Sequence, residues 1–171
     1  MTDMPQSVRI ASIADAKNLL FHCAELFKDN FMGLSFSANR VMETVGGCCD
    51  GTKGIAGVID GEEGQPIAST GLLWVQPVYS DVWILSEAWL FVNPQHRKGT
   101  TYGDDLFKFS QWHREQMSER LGYDVPMELT VLSFKRLKEK TRFWGRYGTH
   151  MGSLFWVGGP NAETSFEKVV N

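Results

Sequence analysis

Residues 83–92 are the longest strand-like run in the chain, and Pro94 stops it because proline cannot donate to a sheet ladder. A short basic loop follows, and a helical pattern opens at about 103 and runs to 121. Leu106, Phe109, His113 and Met117 fall at helical spacing, and Gly122 closes the pattern. A strand that turns so quickly into an amphipathic helix must lay that helix back on its own sheet, which predicts an α/β architecture.

The rest of the chain fits that frame. Residues 8–13 alternate as a first strand, and Asp15 is placed to cap a helix over 16–30 with Leu19, Leu20, Cys23, Leu26 and Phe27 on one face. A second helix is expected over 38–45, ended by Gly46-Gly47. Strands follow at 54–59 and 66–75, separated by the turn from Asp60 to Gly64. After the long helix come a strand at 126–132, a short basic helix at 135–146 and a last strand at 151–157. The order is β-α-α-β-β-β-α-β-α-β, a mixed central sheet with helices on both faces. With 171 residues, no repeats and no linker, it reads as a single domain over 1–171.

Composition excludes several classes. No apolar run approaches the roughly 18 residues of a membrane span, and the first residues lack a basic-then-apolar leader, so the cytoplasm is expected. Cys23, Cys48 and Cys49 are odd in number and include an adjacent pair, which argues against a disulfide framework; they read as small half-buried residues. No cysteine or histidine spacing suits zinc. A net charge of -3 disfavours general nucleic-acid binding. That charge is uneven: residues 1–96 carry a balance of -6, residues 97–146 carry +4 and the last 25 carry -1. A basic segment inside an acidic chain suits a small anionic ligand.

The loop supplies the chemistry for one. Main-chain N–H groups and the positive end of a helix can hold a diphosphate, Arg97 and Lys98 add charge, and Thr100 and Thr101 add hydroxyl donors. This strand–loop–helix resembles the acyl-CoA motif of the Gcn5-related N-acetyltransferases (GNAT), where Leu-x-Val-x-Pro-x-x-Arg leads to Gly-x-Gly. Leu90, Val92, Pro94, Arg97 and Leu106 match. The element order resembles the family over about 8–157. Two departures stand out. Thr100 and Tyr102 occupy the two positions where the family has small residues, and Trp144 falls where it often has the tyrosine that protonates the departing thiolate. Tyr147 lies nearby, at a position that is usually apolar, and Asp104 and Asp105 place negative charge in the first turn of the helix.

The resemblance implies transfer of an acetyl group from acetyl-CoA to an amine acceptor by direct attack. Phe91, Val92, Arg97, Lys98, Gly99, Thr100, Thr101, Tyr102 and Gly103 would bind the cosubstrate, and a main-chain N–H near Phe91 or Val92 would polarise its carbonyl. Glu87 is the candidate general base: strict alternation puts it on one face with Trp83, Leu85, Trp89 and Phe91, an apolar setting that raises a carboxyl pKa. His22 and His113 read as satisfied core histidines, and His96 as a packing residue in the loop. The acidic residues Asp15, Glu25, Asp29, Glu43 and Asp50 lean towards a cationic acceptor. The acceptor itself and the oligomeric state, a homodimer included, stay open. The competing reading is a catalytically degenerate binding or interaction protein of the same fold, such as phages or mobile elements encode.

Overall fold

A computed structural model describes residues 2–30, 35–129 and 137–148. Its sheet has five strands in the order β1 (Arg9–Ile10), β2 (Gly54–Asp60), β3 (Pro66–Val75), β4 (Ile84–Val92) and β5 (Met127–Glu128). The first four pair antiparallel, and β5 joins β4 in parallel. Among the described residues four α-helices accompany them: α1 (Ala16–Asn30), α2 (Ala38–Cys49), α3 (Tyr102–Leu121) and α4 (Leu137–Trp144). The mixed α/β sheet expected from the strand pattern is therefore present. The strand expected at 151–157 lies outside the described residues.

Two compact units divide the chain, one formed by Met1–Cys23 with Ala38–Thr130 and the other by Ala24–Ser37 with Val131–Asn171. The first holds the sheet. Register sets two faces on β3 and β4, since alternate residues of a strand point to opposite sides. Ala68, Thr70, Leu72 and Trp74 share the face that α3 covers. There Leu106 and Phe109 pack with Val8, Ile59 and Ala68, and Met117 packs with Leu72, Leu85 and Val125. Full burial of side chains such as Leu72, Leu85 and Leu106 stabilises the fold by about 1.5–3 kcal/mol each. On the opposite face, His22 of α1 stacks on Phe91 at 4.4 Å between ring centres.

One position on that second face depends on the lack of a side chain. Gly71 lies opposite Trp89, and a methyl group there would come within 2.1 Å of the indole ring. Trp89 is buried with its Nε1–H donated to Ser69 Oγ at 3.1 Å, so it cannot swing aside without losing a bond. Gly71→Ala should therefore destabilise the fold by about 1–3 kcal/mol, the usual range for overpacking, measurable as a shifted urea midpoint at unchanged slope.

Three expectations about element bounds need correction. The first strand is short, Arg9–Ile10 with one further bond from the Ala11 N–H to the Ala56 carbonyl at 2.8 Å, because the chain enters a 3-10 turn at Ile13–Asp15. There Asp15 caps backwards rather than onto α1, accepting from the Ser12 N–H at 2.8 Å and hydroxyl at 3.0 Å. Helix α2 does not stop at Gly46-Gly47 but continues to Cys49, with Val45 and Cys48 buried. Each glycine inside a helix costs only about 1 kcal/mol, which the burial of the flanking Val45 and Cys48 offsets. The strand expected at 126–132 is described only over Met127–Glu128, and the remainder falls largely outside the described residues.

In the second unit, the last two turns of α1 carry a Glu25–Lys28 ion pair, and Phe27 meets Phe36 edge-on at 5.2 Å. Phe143 of α4 packs edge-on to Trp144 at 4.8 Å and to Tyr147 at 5.5 Å. The Arg146 guanidinium lies over both the Phe143 and Tyr147 rings.

Candidate functional site

Strand β4 carries the central irregularity of the site. Leu72 pairs with Glu87 and Gly71 with Trp89, so Ala88 is an extra residue in a β-bulge. Each extra residue inverts the alternation beyond it. Glu87 consequently shares a face with Leu85, Leu90 and Val92, on the α3 side of the sheet. Trp89 and Phe91 point to the other side. The expectation that Glu87 lies with Trp89 and Phe91 is thus overturned, while the opposition of Leu90 and Val92 to Trp89 and Phe91 holds. Glu87 is half-buried, and its Oε2 is shielded from solvent.

The other edge of β4 is paired over two residues among those described. Parallel pairing to β5 joins Leu85 with Met127 and Ser86 with Glu128, and Ser86 Oγ donates to Glu128 Oε2 at 3.4 Å. Among the described residues no strand accompanies β4 on that side from Glu87 to Val92.

The chain then folds through the loop. Asn93 caps a 3-10 turn at Pro94–His96, accepting from the Gln95 N–H at 3.1 Å, with proline at the first turn position where its missing N–H costs nothing. Arg97 Nε donates to the Val92 carbonyl at 2.7 Å, tying the loop to the strand end. Lys98 is exposed. Gly99 adopts φ 73°, a left-handed conformation that the neighbouring side-chain residues would adopt only under strain. Thr100 Oγ1 donates to the His96 carbonyl at 2.7 Å. Thr101 precedes α3, Tyr102 packs against the Leu106–Phe109 cluster, and half-buried Gly103 sits in the first turn. The loop residues singled out from sequence thus form one continuous turn into a helix N-terminus. The two threonine hydroxyls, expected as ligand donors, are bonded within the protein.

Other titratable groups are engaged structurally. His22 Nε2–H donates to the Pro66 carbonyl at 3.2 Å, its Nδ1 accepts from Ser69 Oγ at 2.8 Å, and Ser69 in turn accepts from Trp89. Trp74 Nε1–H donates to His113 Nε2 at 3.1 Å. Burial lowers the pKa of each histidine to about 4, so both are neutral core residues, as expected. Burial likewise pushes the Cys23 and Cys48 thiols up to about 12 and Cys49 to about 11, leaving no thiolate nucleophile among them. Four of the acidic residues offered for a cationic acceptor, Asp15, Glu25, Glu43 and Asp50, have partners. Asp15 pairs with Arg9 at 2.9 Å, which holds its carboxyl far below the usual range. Glu43 pairs with Lys53, Glu25 with Lys28, and Asp50 accepts from Thr52. Tyr147 and Trp144 belong to the second unit. Among the described residues no group of three or more His, Cys, Asp or Glu side chains is placed to hold a metal ion.

Two features escaped the sequence reading. The bulge at Ala88 has no local signal, because it exists only relative to β3. The Asn93 cap did have one, an asparagine immediately before a proline.

No protein-family model and no curated sequence matches this chain. Solved structures do. A GCN5-related N-acetyltransferase from Ralstonia eutropha JMP134 is 15% identical, with 88% of this chain and 96% of that one covered at a TM-score of 0.61. Ribosomal-protein-alanine N-acetyltransferase from Brucella melitensis biovar Abortus 2308 is 8% identical, covering 89% and 96% at 0.61. Glucosamine-6-phosphate N-acetyltransferase from Arabidopsis thaliana is 15% identical, covering 89% and 96% at 0.61. The chain has the GNAT fold.

Proposed function

We propose that this chain is a divergent GNAT-type N-acetyltransferase, a single acyl-CoA-binding domain that moves an acetyl group from acetyl-CoA to an amine by direct attack. The observation that carries the reading is the sequence of features along one strand. Strand β4 loses its described partner after Ser86, bulges at Ala88, and runs through the Arg97 loop into α3, all within a GNAT fold. In this reading the pantetheine arm lies in the opening beside β4, with the diphosphate over residues 97–103. A main-chain N–H near Phe91 or Val92 polarises the acetyl carbonyl. Glu87, at the mouth of that opening, takes the amine proton, through a water where the acceptor does not reach it. The neighbours are named for acceptors as unlike as ribosomal-protein alanine and glucosamine 6-phosphate, so the fold alone does not select an acceptor. No described helix is long and apolar enough to cross a membrane, and we place the reaction in the cytoplasm.

Calorimetry with acetyl-CoA tests the reading. Arg97→Ala should weaken binding by about 1–3 kcal/mol, the range for a charge-assisted hydrogen bond. Part of that loss comes from the loop, because Arg97 Nε also holds the Val92 carbonyl. Arg97→Lys, which keeps the charge and loses the fork, should fall between the two. Equal affinity in all three proteins would move the phosphate site elsewhere.

A second reading has its own support. The hydroxyls of Thr100 and Thr101 are turned onto protein acceptors, and Asp104 and Asp105 occupy the first turn of α3. Both features suit a GNAT-fold binding or interaction protein that has lost its chemistry. Wild-type protein that binds acetyl-CoA but acetylates nothing in a broad amine screen would establish that reading.

A further inference from the structure

Thr101 stands at the N-cap of α3, a position where a threonine hydroxyl ordinarily accepts from an amide two or three residues on. Here it makes no such bond. Its backbone has φ -96° and ψ 8° instead of the extended ψ of a capping residue, and its hydroxyl donates to Asp105 Oδ2 at 2.9 Å. Asp105 is largely sheltered, with side-chain exposure of 15%, and gathers two more groups. Ser7 Oγ donates to the same Oδ2 at 3.0 Å, and Lys108 Nζ lies 3.7 Å from Oδ1. The Ser7 bond ties the chain segment before β1 to the start of α3. At the far end of that segment, Thr2 donates to Glu115 through its backbone N–H and its hydroxyl.

From this arrangement we infer that Asp105 is a positioning residue for the coenzyme A loop. It draws the Thr101 hydroxyl away from the helix amides and so leaves the start of α3 uncovered for the diphosphate. The inference rests on the acetyltransferase reading for its ligand, but not for its conformational half. The physical conflict is direct. An N-cap hydroxyl and a bound phosphate compete for the same first amides, which have no carbonyl of their own inside the helix. A chain with glycine at this part of the loop has no such competitor. This one has Thr101, and Asp105 holds it in a conformation that does not compete. The carboxylate therefore has two opposed effects on a diphosphate. It repels the anion, an effect that Lys108 and the two hydroxyl donors diminish, and it keeps the amides open.

Substitution separates the effects. Asp105→Ala frees Thr101 to cap α3, and coenzyme A binding measured by calorimetry should weaken about tenfold, or about 1.4 kcal/mol. Adding Thr101→Val to Asp105→Ala should restore affinity towards that of wild type, because the competing hydroxyl is gone. Asp105→Asn keeps an acceptor oxygen without the charge and should bind at least as tightly as wild type. In ligand-free protein, the Gly103 amide should exchange with solvent more slowly in Asp105→Ala than in wild type, and the added Thr101→Val should reverse this. Tighter binding by Asp105→Ala, or failure of Thr101→Val to rescue it, would overturn the inference in favour of simple repulsion. Wild type without coenzyme A affinity would sink the acetyltransferase reading, and Gly103 exchange would still decide whether Asp105 controls the cap.

Discussion

Glu87→Gln should lower acetyl-transfer turnover roughly 100-fold, with acetyl-CoA affinity nearly unchanged. The substitution preserves size and polarity and removes the charge and with it the ability to take a proton. An amine that attacks a thioester carbonyl must shed a proton as the bond forms, so the loss falls on the chemical step. Glu87 follows the last described pair between β4 and β5 and immediately precedes the bulge, the position proposed for the mouth of the donor site. One of its carboxylate oxygens is shielded from bulk water. The inverted alternation puts it on the α3 side, so contact with the acceptor through a bridging water is the arrangement expected. The limb of the pH–rate profile belonging to the base should vanish in the glutamine enzyme. Unchanged turnover at every pH would show that solvent or another group takes the proton.

Acid should destabilise the fold well before its carboxylates are protonated. His22 and His113 have folded pKa values lowered to about 4 by burial, against about 6.5 in an unfolded chain. Between those values the unfolded chain binds two protons that the native state refuses, so stability is complete above about pH 6.5 and falls as pH drops towards 4. At 1.36 kcal/mol per pKa unit, each histidine accounts for roughly 3 kcal/mol across that window, a large fraction of the 5–15 kcal/mol typical of a domain. The geometry supports the direction. Protonating His22 Nδ1 would break its bond from Ser69, and protonating His113 Nε2 would break its bond from Trp74. Below the ordinary aspartate range a further loss follows as Asp15 protonates and releases Arg9, since its folded pKa is depressed. Urea unfolding from pH 7 to pH 4 measures the slope, and NMR titration of the two imidazoles assigns it. Either ring titrating near 6.5 in the native state would refute the account for that residue.

Much of this protein was legible along the chain. The periodicities of 66–75 and 16–30 gave β3 and α1 their observed ends, and the apolar run before Pro94 gave β4 to within one residue. Leu106, Phe109, His113 and Met117 were readable as the buried stripe of α3, and Gly122 as its left-handed stop, with φ 75°. These are local signals: helix and strand periods, a proline without a donor, a glycine with access to positive φ. The loop from Arg97 to Gly103 was legible for the same reason, because charge and glycine placement are properties of the sequence itself. What Glu87 faces was not. A bulge is a count of one strand against another, and no property of residues 84–92 shows that β3 has one residue fewer opposite them. The fate of the charged and hydroxyl groups was equally hidden. Arg9 finds Asp15 six residues on and Asp60 across the sheet, and Thr101 turns to Asp105 instead of capping its own helix. Strand register and hydrogen-bond partners are relations between distant segments, which acquire values only when the sheet closes and burial forces each polar group to find a partner.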